Sequence, residues 1–322
     1  MKRVIIATAA SLAATMSVQA AETLNFTMGS ISGSVYAIGV QVGEELKKEG
    51  DYNVNVKAGG AMGNAIQVGS NKAQFGHTST GLGFAALNGA EPFKKPSTEL
   101  RAVGTVMESS FQFMSLKDVP VSSLAELKEK KYPLKLAVGP RGRENELLTR
   151  RVLEENGISY EDIQDWGGRV EFVAISDANS LIRDGHLEAV TMLSGLPYAP
   201  LTEINSARPM KMLEISGKTI GALSEKYGYV PTEIPSGTYA GIDAAVPSVA
   251  GGVVLVTNTK VSDETAYRMA KAVCSDEGRQ RLSALSGSIK SYLTSAQACA
   301  SGTGVPLHDG AKKYFDEIGV KY

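Results

Sequence analysis

The sequence predicts an α/β fold in two lobes with a ligand cleft between them, and three observations carry that reading. A unit of strand, small-residue loop and helix recurs along the first eighty residues. The chain has 322 residues, more than one core holds, because single cores stop growing near ~250 residues. Late in the chain, residues 249–257 form a continuous apolar run, which suits a strand buried on both faces that returns the chain to its first lobe.

The first unit occupies residues 24–48. Leu24, Phe26 and Met28 alternate with Asn25 and Thr27, the period-two pattern of a strand, and a turn containing Gly29, Ser30, Ser32, Gly33 and Ser34 leads into a helix from about residue 35 to 48. A helix start exposes four N–H groups without partners inside the helix, and these can receive an anion or a carbonyl oxygen. The same residues also have a plain structural use, since Ser32 or Ser34 can cap the helix. The second unit runs from an alternating strand at 53–57 through Gly59 and Gly60 to a helix at 64–69. A strand at 73–77 then leads to Thr78, Ser79, Thr80 and Gly81. In open sheets of parallel strands, ligands sit beyond the carboxyl ends of the strands. The loops at Gly29, Gly59 and Thr78 therefore outline one rim of a cleft. Tight α/β connections use glycine too, so it is the repetition that favours a site.

Apolar runs at 100–108 and 111–116 read as two strands, following a proline-bearing loop at 91–96. Ser122 or Ser123 caps a short helix at 124–130, and the crossing into the second lobe falls at 118–122. A strand at 134–138 opens into Gly139, Pro140, Arg141, Gly142, Arg143, Glu144 and Asn145, before a helix at 146–156. An arginine there can hold a carboxylate through two parallel hydrogen bonds, which a lysine cannot reproduce. The alternative is a surface arginine paired with Glu144 or Glu146. A strand at 170–173, a cap at 176–179 and a helix at 180–184 follow. A turn at Gly185 then gives a strand ending at Ser194, Gly195, Leu196 and Pro197. His186, beside that turn, reads as a surface residue. Residues 210–215 form one more strand. Helices at 263–275, 277–285 and 310–318 close the back of the first lobe, with Arg279 and Arg281 on a solvated face. Lobe I thus comprises 21–120 and 246–322, and lobe II comprises 121–245.

The N-terminus has Lys2 and Arg3, an apolar stretch at 4–16 and Val18-Gln19-Ala20, the three parts of a secretory signal cleaved after Ala20. The mature chain is expected in the periplasm. No cysteine follows the apolar stretch to carry a lipid, and no later segment approaches the ~20 apolar residues of a membrane span. Thirty-three basic residues face thirty-four acidic ones, a balance that gives no electrostatic footprint for nucleic acid. His77, His186 and His308 have no metal-ligand spacing with one another or with the cysteines, so neither a metal nor another cofactor is expected. No Gly-x-Ser-x-Gly elbow or isolated reactive cysteine is present, which argues against an enzyme. Cys274 and Cys299 can form a bridge contributing roughly 3 kcal/mol in an oxidising compartment, the other possibility being two buried thiols.

The order of these loops resembles the TRAP-associated extracytoplasmic immunogenic (TAXI) family, the substrate-binding subunits of certain tripartite ATP-independent periplasmic (TRAP) transporters. Residues 28–36, Met-Gly-Ser-Ile-Ser-Gly-Ser-Val-Tyr, are similar to the family's Gly-Ser-Thr-Gly-Gly-Thr-Tyr-Tyr loop, and residues 59–64 to its Gly-Ser-x-x-Asn turn. Residues 185–197, 234–241 and 246–249 resemble later family motifs. The resemblance implies a type II periplasmic-binding-protein-like fold whose lobes close on a glutamate-like amino acid or dicarboxylate and deliver it to an ion-gradient-driven permease, the protein acting as a monomer. It implies first-lobe contacts from Ser30, Gly33, Ser34, Tyr36, Asn64, Thr78, Ser79 and Thr80. Arg141, Gly142, Arg143, Glu144, Asn145, Ser194, Gly195 and Pro197 would supply those of the second lobe. Arg143, Glu144 and Asn145 stand where the family has Ser-Gly-Thr. The added guanidinium favours an anion, and Glu144 either neutralises it or meets a substrate amine. An exported ligand-sensing subunit and a cleft enzyme on the same fold are the alternatives.

Overall fold

The computed structural model describes residues 21–48 and 52–322; the export signal expected at 1–20 lies outside them. The chain opens with β1 (Glu22–Met28), α1 (Ser34–Lys48), β2 (Tyr52–Ala58), α2 (Ala61–Gly69), β3 (Phe75–Ser79) and α3 (Thr80–Asn88). β1 lies between β2 and β3, all parallel, with Phe26 level with Val56 on one side and Phe75 on the other. Leu24, Phe26 and Met28 are fully buried, as their alternation requires. Helix α3 was not expected. Almost all its residues are buried, including Gly81 and Gly83, so it has no polar face and leaves no helical period in the sequence.

The next strand, β4 (Leu100–Leu116), is 17 residues long and unites the two strands expected at 100–108 and 111–116. The polar residues that seemed to separate them, Glu108, Ser109 and Ser110, are paired in register with Gly252, Gly251 and Ala250 of a later strand. They mark a passage between two cores, not a break in the strand. The second lobe contains α4 (Leu124–Glu129), β5 (Lys135–Ala137), α5 (Glu144–Glu155), α6 (Tyr160–Asp165), β6 (Arg169–Glu171), α7 (Ile175–Arg183), β7 (Ala189–Ser194), α8 (Ala199–Ala207), β8 (Met210–Met212), α9 (Gly217–Tyr227) and β9 (Val230–Ile234). Helix α5 begins two residues earlier than its apolar pattern suggests, which moves Glu144 and Asn145 from the loop into the first helical turn. Helix α7 likewise starts earlier, so that residues 176–179 lie inside it and do not cap it.

The chain then returns through β10 (Val246–Asn258) to α10 (Asp263–Cys274), α11 (Asp276–Ser283), α12 (Gly287–Tyr292), α13 (Ala296–Ala300) and α14 (Asp309–Glu317). The strand order is β2-β1-β3-β10-β4-β7-β5-β6, with β8 paired to β4 and β9 to β10. β10 runs antiparallel to both β3 and β4, and β4 antiparallel to β7. One apolar core gathers residues of β1, β3, α1 and the C-terminal helices, and a second gathers those of β5, β7, α5 and α9. Val106 belongs to the first and Phe111 to the second; Val249 belongs to the second and Val254 to the first. The packing therefore changes hands inside β4, upstream of the 118–122 segment, and again inside β10.

Cys274 and Cys299 are bridged and buried. The bridge rests on β4 at Gly104, where an added Cβ would lie 2.9 Å from Cys299 Sγ. Arg279 and Arg281 do more than form a solvated face. Arg279 donates to Cys274 O (2.7 Å) and Arg281 to Ala272 O (2.7 Å), so both guanidinium groups satisfy carbonyls at the end of α10, where no helical donors remain. Replacing both cysteines by serine is expected to lower the unfolding free energy by roughly 3 kcal/mol, measured by denaturant titration at matched pH. A loss below about 1 kcal/mol would show that the bridge adds little to this fold.

Candidate ligand cleft

A helix follows the end of β1, β2, β3, β5, β6 and β7 along the chain. Five of these helix starts share a property. The residue preceding α2 is Gly60, that preceding α3 is Ser79, and α5, α7 and α8 follow Arg143, Ala174 and Tyr198; none of the five provides a side-chain cap. By contrast α4, α6, α9, α10, α11, α12, α13 and α14 are each capped by a serine or histidine side chain. Five helices that follow strand ends thus start without a side-chain cap from their own N-cap residue.

Several residues singled out in the sequence are committed inside their own lobe. Asn64 is fully buried. It accepts from Thr27 Oγ1 (2.6 Å) and donates to His77 Nδ1 (2.9 Å), His77 O (3.1 Å) and Met28 O. Because the neighbouring carbonyls fix the amide NH2 on that side, His77 Nδ1 must accept. Burial pushes His77 down to about 4, so the ring is neutral and carries its proton on Nε2. Thr78 donates to Ala61 O (3.1 Å). Thr80 donates to Gly302 O (2.7 Å) and accepts from Gly252 N (2.8 Å), which ties α3 to β10. Tyr36 donates to Val56 O (3.3 Å), away from the cleft. Of the first loop, Ser30 is exposed and its carbonyl accepts from Gly33 N, while Ser34 opens α1.

In the second lobe, Gly142 adopts φ +74°, a conformation that favours glycine, and its N–H donates to Glu146. Arg141 does not pair with Glu144 or Glu146; its guanidinium stacks 3.5 Å from the Phe172 ring centroid. Arg143 is exposed at the start of α5. Asn145 holds Val138 O and Thr191 O through Nδ2 (2.9 and 3.1 Å), leaving Oδ1 buried without a partner. Ser194 accepts from Gln112 Nε2 (2.9 Å), and Gln112 in turn accepts from Tyr239, whose oxygen receives the Tyr198 amide. A Cβ on Gly195 would lie 2.9 Å from Ser288 Oγ of the first lobe. Pro197 follows a cis peptide bond and is exposed.

Where the lobes meet at α5, the contacts are specific. Glu144 faces Ser79 and the Gly81 amide of the first lobe, with Arg151 and Tyr229 beside it. Arg150 forms a paired contact with Glu91 (2.9 and 3.2 Å). The buried Arg151 donates to Glu91 O (3.0 Å) and Tyr229 OH (3.3 Å) and stacks on Tyr227. Leu147 of α5 packs into the first core. Sequence reasoning missed Arg151, Tyr229 and Glu91. Arg150 and Arg151 follow the apolar pair Leu147 and Leu148 on α5, which reads as an ordinary amphipathic helix, and only the fold shows that Arg151 turns inward. Burial pushes the Glu144 carboxyl up to about 7, against the opposing pull of Ser79, Arg151 and the Gly81 amide. Burial also raises Glu108, on the passage between the lobes.

Residues 26–319 match the NMT1-like family. The chain belongs to that family. The fold of this NMT1-like protein is similar to a TctC solute binding protein from Polaromonas, at 13% identity over 92% of this chain and 98% of that one, with a TM-score of 0.53. It is also similar to a binding protein component of an ABC phosphonate transporter from Pseudomonas aeruginosa, at 13% identity over 82% and 79%, with a TM-score of 0.50. The periplasmic aliphatic sulphonate binding protein SsuA from Escherichia coli matches at 13% identity over 94% and 89%, with a TM-score of 0.47. Among the described residues no helix is long and apolar enough to cross a membrane.

Two measurements check this arrangement. Asn64→Ala strands the carbonyls of Met28 and His77 and the hydroxyl of Thr27, and is expected to cost about 3 kcal/mol of stability in denaturant titration; a cost under about 1 kcal/mol would mean that water replaces the amide. Glu144 holds its proton more tightly folded than unfolded, so the folded state binds more protons between pH 4.5, the usual value, and about 7. Stability is therefore lost as pH rises through that window. Thermal unfolding of wild type against Glu144→Gln should diverge there, by at most about 3 kcal/mol, reduced because the side chain is only partly enclosed. Parallel profiles would remove Glu144 from the pH dependence.

Proposed function

We propose that this protein captures a small organic anion, a glutamate-like amino acid or a dicarboxylate, between its two lobes and hands it to a TRAP-type permease. On this reading it is a TAXI-type subunit, exported with cleavage after Ala20, working as a monomer without chemistry or cofactor. Its lobe I is 21–120 with 246–322, and its lobe II is 121–245.

The observation that carries the proposal is that five helices following strand ends start without a side-chain cap; on this reading those starts face one cleft. An unsatisfied helix N-terminus carries about half a positive charge and N–H groups aimed at whatever lies before it. Capping is worth ~1 kcal/mol, and eight helices elsewhere in the chain have a side-chain cap. Leaving the cleft starts open is sensible where a ligand anion completes them. Arg143, exposed at the start of α5, adds a guanidinium that, on this reading, closure brings onto a carboxylate. Each lobe contributes to one ligand, so closure is favoured by whatever the ligand gains in the closed state and not in the open one. A ligand of the wrong shape leaves buried donors unpaired, which sets specificity.

A thermal-shift screen of refolded protein against amino acids, dicarboxylates and other organic acids tests this. A ligand at ~100 times its dissociation constant raises stability by about 2.7 kcal/mol and should be recovered chemically intact. A screen in which no organic anion raises the melting temperature would sink the proposal. Arg143→Ala should weaken the best anion by about tenfold, or ~1.4 kcal/mol, less than a buried pair because the side chain is exposed. Unchanged affinity in calorimetry would take Arg143 out of the site.

A further inference from the structure

We propose that the N-terminus of α3 is a carboxylate subsite of this cleft and that Glu144, reaching over from the second lobe, is its built-in occupant and competes with the ligand for it. The inference rests on reading the cleft as the ligand site.

Three observations converge on this point. Ser79 occupies the cap position of α3 and is 6% exposed, yet its hydroxyl neither caps its own helix nor completes any other hydrogen bond. A buried serine in that position would ordinarily turn back onto the helix amides, so one that does not is available to an incoming acceptor. Facing it from α5 is the Glu144 carboxyl, whose Oε1 is buried and also completes no hydrogen bond. Glu144 as a residue keeps partial exposure, but this oxygen has none. Finally, the surroundings hold the carboxyl closely. A Cβ on Gly251 would be in ordinary contact with Oε1 at 3.5 Å, and a Cβ on Gly81 would meet Tyr229 OH at 2.5 Å, so no side chain fits at Gly81 beside its amide.

The chemistry that fits is a carboxylate: an acceptor with two oxygens, set before a helix start and beside a serine hydroxyl, with the Arg151 guanidinium close by. Glu144 meets these requirements only in part, since its Oε1 and the Ser79 hydroxyl remain without a partner. It is anchored on a helix whose Leu147, Arg150 and Arg151 are fixed to the first lobe, so its carboxyl comes near Ser79 without closing the bond. A free carboxylate has no such tether and can settle into full hydrogen-bond geometry. Glu144 thereby sets a threshold: only a ligand whose carboxylate binds better than the resident one displaces it.

The test is chemical rescue. Hydrogen exchange of the amides at 79–82 is followed in wild type, Glu144→Ala and Glu144→Gln, each in acetate and in chloride at equal concentration. In chloride, both variants should exchange several-fold faster than wild type, because the carboxylate facing the Ser79 hydroxyl and the Gly81 amide is gone. Acetate should restore protection in Glu144→Ala, where the space is open, and not in Glu144→Gln, where the side-chain amide fills it. Exchange unchanged in both variants, or acetate acting no differently from chloride on Glu144→Ala, overturns the proposal. If Glu144→Ala does not fold, unchanged exchange in Glu144→Gln overturns it alone. The thermal-shift screen stays separate: rescue by acetate with no hit among larger organic acids would keep the subsite and discard the proposed ligand class.

Discussion

The antiparallel pairing of β4 with β10 is the contact on which the rest depends. Nine residue pairs join the strands, from Asn258 with Leu100 to Ala250 with Ser110, and each strand lends one end to either core. Backbone hydrogen bonds make this the firmest connection between the lobes. The polar and glycine residues at its centre, Glu108, Ser109, Gly251 and Gly252, contribute almost no apolar burial. Those four residues are paired in register between the two cores. The site depends on that pairing, because it fixes the distance across which α5 meets α3.

Two kinds of polar group line the interior, and they serve opposite ends. Asn64, Thr80 and Gln112 have their hydrogen bonds completed by protein, so they hold strand ends in place and have nothing left to offer a ligand. Ser79, Glu144 and Asn145 keep buried oxygens without partners, at a cost of ~1–3 kcal/mol for each unsatisfied group. Such a cost is tolerated where something else satisfies the group part of the time. The contrast separates side chains whose bonding is complete from those with a buried oxygen left over, a group that also includes Gln41, Ser115 and Asn179. Loop position alone does not make that separation, since Asn64 and Asn145 both follow a glycine turn.

Much of the scaffold was legible in the chain. The alternation of Leu24, Phe26 and Met28 places β1, the apolar run at 249–257 places β10, and the serines before α4 and α10 cap them. The cap pattern itself could have been read: Gly60, Arg143, Ala174 and Tyr198 lack an oxygen suited to capping, while Ser123, Ser159, Ser216 and Ser262 have one. Among the helices the pattern did not give, which include α6, α8, α9, α12 and α13, α3 has a plain reason: a helix buried all round shows no period. The union of two apolar runs into β4 also escaped, because its polar centre looks like a turn until its partner strand is known.

The sequence by itself determined the alternating strands, the glycine turns, the capped helices and the cysteines that can meet, because these follow from backbone conformation and local burial within a few residues. Only the tertiary structure decided which oxygens remain unpaired, that Arg151 turns inward to Glu91 and Tyr229, and that Glu144 lies before Ser79, sixty-five positions earlier in the chain. Those facts depend on where two separately packed cores set their facing helices. Distance and angle between cores come from the sum of both interiors and the strands joining them, and no stretch of sequence carries that sum.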